Sequence, residues 1–166
     1  MAGIPHRSRG LADSAYVDGL KMLGRRELSE AQVRQRLARR GHDEAAIDAA
    51  VARLKSDRSI DDVRVAGAIA RSETSLRKRG KLRVKRRIEA AGIAAATAQH
   101  AVDETFQDID GDALIAAALE KRLRGRTRIE DDREFQRLYR YLTSQGFESD
   151  RIVPLLRRLH KGHKDV

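Results

Sequence analysis

The sequence predicts an all-α protein made of three tandem three-helix repeats. A frame of aliphatic residues recurs around Gly41, Gly92 and Gly146. Repetition at a nearly fixed spacing is typical of stacked supersecondary units. Only two prolines occur, so nearly the whole chain is free to be helical. Apolar residues follow helical spacing, as in residues 47–54, and no segment alternates with period two. We expect the repeats to form an elongated, curved right- or left-turning array.

The repeated frame places aliphatic residues eight and four positions before each glycine and ten positions after it. Its members are Val33, Leu37 and Val51 around Gly41, Val84, Ile88 and Val102 around Gly92, and Leu138, Leu142 and Leu156 around Gly146.

The first repeat is predicted over residues 13–57. Its first helix covers about 14–25, and Ser29 with Gln32 fits a capping box for the second. Gly41 suits the left-handed turn that closes this second helix. Asp43 can cap a third helix that runs to about residue 55.

The second repeat is predicted over residues 58–107. Asp61 and Asp62 supply the cap and first-turn charge that favour a helix start. Its three helices are expected to end near Arg79, Ala91 and Phe106.

The third repeat is predicted over residues 108–160. Helix starts are expected around 110–112 and at about Asp131, with breaks near Gly125 and at Gln145. The last helix covers 149–159. Residues 1–12 and 161–166 are predicted to be flexible ends.

The composition restricts the function classes. Lys and Arg number 35 against 25 Asp and Glu, which gives a formal net charge of +10 and favours phosphates or acidic proteins as partners. Cysteine is absent, which excludes a disulfide scaffold, thiolate catalysis and a zinc finger. The N-terminus shows no signal peptide and the longest apolar run, 113–119, is short. We expect a cytoplasmic monomer.

Basic residues are densest in the second repeat. Nine basic residues and two acidic ones lie between Arg71 and Ala90. Spacing on a helix places Arg79, Arg83 and Arg86 opposite the inward Val84 and Ile88. A charge run of this kind is often only a solvated helix face, but few acids intersperse this one, which favours a binding surface. The predicted partner or nucleic-acid contacts are Arg77, Lys78, Arg79, Lys81, Arg83, Lys85, Arg86 and Arg87.

Catalytic and metal patterns are weak. The sequence has no glycine-rich phosphate loop and no serine nucleophile motif. Residues 108–112 are similar to a calcium loop, but Ala113 stands where glycine is needed and Leu119 where the closing glutamate is needed. We therefore expect no metal, no cofactor and no catalysis.

The chain resembles the RecX family of bacterial recombination regulators. The similar motifs include the Ser29-Glu30 cap before a basic helix, Asp61-Asp62 before Arg64, and Arg79-Gly80-Lys81. The segments that carry the resemblance are residues 20–37, 60–66, 79–93 and 142–147. The chain departs from the family pattern at Arg58-Ser59, Arg87 and Ala91.

The resemblance implies a function as well as a fold. Members of this family restrain RecA: they bind the groove of the RecA–DNA filament and suppress its ATPase, coprotease and strand-exchange activities. A non-enzymatic protein of this kind would limit homologous recombination and the SOS response. Two alternatives remain open. A direct DNA-binding helical protein would act without RecA, since three-helix units resemble helix-turn-helix modules, and an enzyme would need a polar constellation that the sequence does not show.

Overall fold

Helices account for all regular secondary structure in the part of the chain that the computed structural model describes, residues 6–160, with side chains from Gly10 onward. The fold class is therefore confirmed as all-α. The helices are α1 (His6–Leu23), α2 (Glu30–Arg39), α3 (Glu44–Ser56), α4 (Asp62–Ser75), α5 (Lys81–Glu89), α6 (Ala95–Phe106), α7 (Gly111–Leu123), α8 (Asp132–Ser144) and α9 (Ser149–Leu159).

Helix starts follow the capping chemistry expected from the sequence. The Ser29 hydroxyl accepts a hydrogen bond from the Gln32 N–H, and the Gln32 side chain accepts one from the Ser29 N–H, both at 3.2 Å. Asp43 accepts from a first-turn N–H of α3 at 2.7 Å. Asp110 and Asp131 cap α7 and α8 in the same way. These bonds satisfy donors that a helix leaves free at its N-terminus, and the two caps predicted in the first repeat are confirmed.

The repeated frame is buried. Gly41, Gly92 and Gly146 have φ angles of 86°, 79° and 90°, the left-handed region that glycine enters without strain. All nine aliphatic residues of the frame are at most 3% exposed. The frame therefore marks core positions and helix ends in each set of three helices.

Some boundaries differ from the prediction. α1 begins at His6, so it covers most of a segment that was predicted to be flexible. α4 ends at Ser75 and not near Arg79. The predicted flexible tail, 161–166, lies outside the described residues.

The chain divides into two compact units. Unit 1 contains the residues up to Ala66 together with Glu89–Thr97, and unit 2 contains Gly67–Ile88 together with the residues from Ala98 onward. The divisions fall inside α4, α5 and α6. They do not coincide with the three repeats, whose limits stay a prediction.

Unit 1 has an aliphatic core between α1, α2 and α3. Leu28, Leu37 and Leu54 are at most 1% exposed. The buried Ser29 hydroxyl donates a hydrogen bond to the carbonyl of Ala91. This bond attaches the segment 89–97 to the start of α2.

Unit 2 has a second aliphatic core, formed mainly by α7, α8 and α9. A buried carboxylate, Glu134, lies at the start of α8, and its side chain is 7% exposed. Arg126 donates two hydrogen bonds to it, at 2.6 and 3.1 Å, and the Glu130 N–H donates a third at 3.0 Å. These bonds favour the charged form and lower the pKa of Glu134 from 4.5 to about 2.

Residues 6–160 contain neither a candidate membrane span nor a candidate metal site. No helix there is both long and apolar enough to cross a membrane. No group of His, Cys, Asp and Glu side chains within residues 6–160 has the arrangement of a metal site.

Candidate interaction surface

The predicted contact residues lie in the turn between α4 and α5 and along α5, and all of them belong to unit 2. The turn is closed by backbone hydrogen bonds from Lys78 to Thr74 and from Arg79 to Glu73. Lys78 adopts a left-handed φ of 53°, which an L-residue rarely does. The basic residues are therefore held on a tightly bent segment and not on one continuous helix.

Arg79 is an internal ion-pair partner. Its guanidinium donates to the Glu73 carboxylate at 2.6 Å, and the two side chains are 18% and 6% exposed. The helical placement predicted for Arg79 is wrong, because α5 begins two residues later at Lys81. Arg77 lies 3.4 Å from the same carboxylate but is 57% exposed. The buried Glu73 carboxylate thus offsets part of the positive charge of Arg77 and Arg79.

The start of α5 is attached to the end of α8 through the main chain. The Gly80 N–H donates to the Gln145 carbonyl at 3.0 Å, and the Leu82 N–H donates to the Gly146 carbonyl at 3.2 Å. Both donors are N–H groups that α5 leaves free at its N-terminus. Gly80 packs directly against Gly146, where a side chain would overlap the backbone. This contact fixes where α5 begins.

Arg83 takes part in the same attachment. Its guanidinium donates to the Ser144 carbonyl at 2.7 Å, at the C-terminus of α8, where the helix dipole favours a cation. Arg83 therefore does not project freely from the face opposite Val84, as the helical spacing predicted. It remains half-buried against α8.

Three of the four remaining cations of α5 are exposed. Lys81, Arg86 and Arg87 are exposed and pair with no carboxylate among the described residues. Lys85 is half-buried and donates to the Gln99 side chain at 2.9 Å. The Lys81 ammonium also lies 5.8 Å from the centre of the Phe106 ring. We call Lys81, Lys85, Arg86 and Arg87 the α5 basic surface.

The α5 basic surface can bind anions through its charge and its hydrogen-bond donors. Exposed lysine and arginine attract phosphate and carboxylate groups, and arginine can bind either through two parallel hydrogen bonds. No aromatic side chain lies within α5, so the helix itself provides no platform for stacking bases. Its chemistry is that of electrostatic docking.

The residues that position the surface were not recognised in the sequence. In the sequence, Glu73 is only one of two acids in a basic segment, and Gly80 and Gly146 belong to separate motifs. Their pairing depends on the tertiary contact between α5 and α8, for which one sequence contains no local signal. The one available hint is that glycine stands at both positions.

Comparisons with known proteins agree with the resemblance in the sequence. A family model described as RecX, first three-helix domain, matches residues 15–54. The regulatory protein RecX of Halorhodospira halophila (strain DSM 244 / SL1) is 31% identical over 145 residues, covering 86% of this chain and 87% of that protein. The regulatory protein RecX of Chlorobium phaeobacteroides (strain BS1) is 30% identical, covering 89% of this chain and 94% of that protein.

A solved structure supports the fold. The crystal structure of RecX from Lactobacillus salivarius matches with a TM-score of 0.79 and 18% identity, covering 91% of this chain and 97% of that chain. The relatives are similar over most of their length, and the helical fold is shared. The chain therefore belongs to the RecX family of regulatory proteins.

Proposed function

We propose that this protein is a negative regulator of RecA that binds the RecA–DNA filament and acts by binding alone, without catalysis. It would inhibit the ATPase, coprotease and strand-exchange activities of RecA and so limit homologous recombination and the SOS response. The observation that carries the proposal is membership of the RecX family. We propose that it acts in the cytoplasm, as a monomer.

The α5 basic surface suits such a partner. A RecA–DNA filament presents DNA phosphates and acidic side chains, and both are ligands for unpaired lysine and arginine. Lys81, Arg86 and Arg87 meet this requirement because no described carboxylate neutralises them. Arg79 and Arg83 take a different part in the proposal: they hold the turn and α5 in place.

Tandem helical repeats also suit binding to a polymer. Several weak contacts on one chain act at a high effective concentration once the first contact has formed. The predicted stacking of the repeats would let one molecule reach adjacent RecA subunits. Modest charge contacts could then produce strong inhibition.

The test is single-strand-dependent ATP hydrolysis by RecA, measured while this protein is titrated at several salt concentrations. The surface variant is Lys81→Gln/Arg86→Gln/Arg87→Gln. A matched control removes three other exposed arginines that pair with no described carboxylate, and this α8/α9 control variant is Arg133→Gln/Arg140→Gln/Arg157→Gln.

We expect the wild type to inhibit well below one molecule per RecA subunit. Each exposed charge contact is worth about 0.2–1 kcal/mol, so the loss of three should require roughly 3- to 160-fold more protein for half-inhibition. The control variant should stay near wild type. Equal inhibition by the surface and control variants would remove α5 from the proposal.

The alternative is a direct DNA binder that acts without RecA. In that case inhibition would appear only when the protein is abundant enough to cover the DNA, whatever the amount of RecA. Such a result would overturn the proposed regulation of the filament.

A further inference from the structure

A second concentration of positive charge lies in unit 1, in a groove between the end of α1 and the second half of α2. The floor of the groove includes Met22, which is 8% exposed. All other lining residues are cations, and no carboxylate lines it. They are Lys21, Arg25, Arg26, Arg36, Arg39 and Arg40. We call this feature the α1–α2 groove.

The end of α2 is held beside α1 by an ion pair. Asp18 of α1 lies 2.9 Å from the Arg40 guanidinium and 3.0 Å from the His42 ring nitrogen. This contact brings the cations of residues 21–26 and the cations of residues 36–40 to the two sides of one groove. The groove thus forms from two segments that are separate in the sequence.

Two carboxylates that lie near the groove residues in the sequence form ion pairs outside the groove. Glu30 pairs with Arg34 at 3.0 Å and with Lys55 at 2.7 Å, while Glu27 pairs with Arg64 at 2.9 Å. In the groove, Arg40 alone has a carboxylate partner among the described residues. The other five cations repel one another without compensation, which a bound polyanion would relieve.

The lining indicates which polyanion fits. Five of the six cations are arginines, whose planar guanidinium binds two oxygens of one phosphate. No aromatic residue lines the groove, and its apolar residue, Met22, is buried. The groove therefore lacks an aromatic platform on which bases could stack. Regularly spaced phosphates suit it better than a protein surface.

We infer that the α1–α2 groove binds the sugar-phosphate backbone of a nucleic acid strand, independently of base sequence. This site goes beyond the proposed function, because it requires neither RecA nor ATP and is separate in residues from the α5 basic surface. It gives unit 1 a binding role of its own.

The test measures binding of a labelled single-stranded oligo(dT) by fluorescence anisotropy, with no RecA and no ATP, between about 50 and 200 mM salt. The groove variant is Arg25→Gln/Arg26→Gln/Arg39→Gln. All three side chains are exposed and none pairs with a described carboxylate, so the fold should be preserved. Circular dichroism and urea unfolding check this, and the α8/α9 control variant matches the change in net charge.

We expect the groove variant to lose affinity and its salt dependence to fall. Each phosphate contact contributes about 0.7 to the slope of log K against log salt for a single strand, so three lost contacts lower the slope by about 2. The α8/α9 control variant should keep the wild-type slope. Equal slopes and affinities for the two variants would overturn the inference.

A second arm separates this inference from the proposed function. If the groove variant binds oligo(dT) normally but no longer inhibits RecA, the groove contacts a protein and the nucleic-acid inference is wrong. If it loses oligo(dT) binding while the wild type fails to inhibit RecA, the groove inference stands and the proposed regulation fails.

Discussion

The substitution Gly80→Ala tests the attachment of α5 to α8. A methyl group at this position would lie 2.7 Å from the Phe147 nitrogen and closer still to the carbonyl of Gly146. Attractive contacts between non-bonded heavy atoms need about 3.5–4.0 Å. The overlapping atoms belong to the backbone, so no side chain can rotate to make room, and the two helices must separate.

The magnitude follows from two opposing effects. Overpacking of a close contact costs about 1–3 kcal/mol. Replacing glycine by alanine restricts the unfolded chain and returns about 0.4–1 kcal/mol. The midpoints of these two ranges leave a net loss of about 1.3 kcal/mol, which lowers the melting temperature of a chain of this size by about 3–5 °C.

Thermal and urea unfolding provide the assay, followed by far-ultraviolet circular dichroism and tyrosine fluorescence. Two of the three tyrosines, Tyr139 and Tyr141, lie in unit 2 and report on it. The matched control is Gly10→Ala in α1, where an added methyl group would meet no atom within 4 Å. That variant should gain about 0.5–1 kcal/mol because alanine favours a helix interior.

The two variants carry the same chemical change and should shift stability in opposite directions. A Gly80→Ala protein as stable as the wild type, or more stable, would refute the close main-chain contact. Weaker inhibition of RecA by this variant would further show that the placement of α5 matters for regulation.

Two further substitutions test other buried polar contacts. Because the folded pKa of Glu134 is lowered to about 2, its contribution to stability is present above pH 4.5 and is lost as the pH falls towards 2. Glu134→Gln should therefore remove this part of the acid dependence of the urea midpoint. An unchanged pH profile in this variant would contradict the stabilising role of the charged carboxylate. Ser29→Ala should cost about 2–4 kcal/mol, since it removes a helix cap and leaves the buried Ala91 carbonyl without its donor. Asp43→Ala removes only a cap and should cost about 1 kcal/mol, so equal losses for the two cap variants would show that the Ala91 bond contributes nothing.

Features set by neighbouring residues could be predicted from the sequence. The capping box at Ser29 depends on residues three apart, and the burial of Val84 and Ile88 depends on helical period. Gly41 and its equivalents mark helix ends because few other residues enter a left-handed turn. Each of these signals lies within a single turn or helix.

Features that depend on tertiary contacts could not be predicted. The sequence predicts Arg79 to be an exposed cation, but Glu73 is buried on the preceding helix and forms an ion pair with it. The α1–α2 groove could not be predicted for a similar reason, because Arg25 and Arg39 belong to different segments with Glu27 and Glu30 between them. The net charge of a sequence segment does not show which of its cations form ion pairs with acids in the folded protein.

The attachment of α5 through Gly80 and Gly146 has a consequence for engineering. Since main-chain groups hold the start of this helix, its outward side chains carry little of the structure and can be exchanged freely. Replacing Lys81, Arg86 and Arg87 one at a time would yield a graded series of proteins with one backbone and different surface charge. Under the proposed function, inhibition of RecA should weaken with each cation removed in this series.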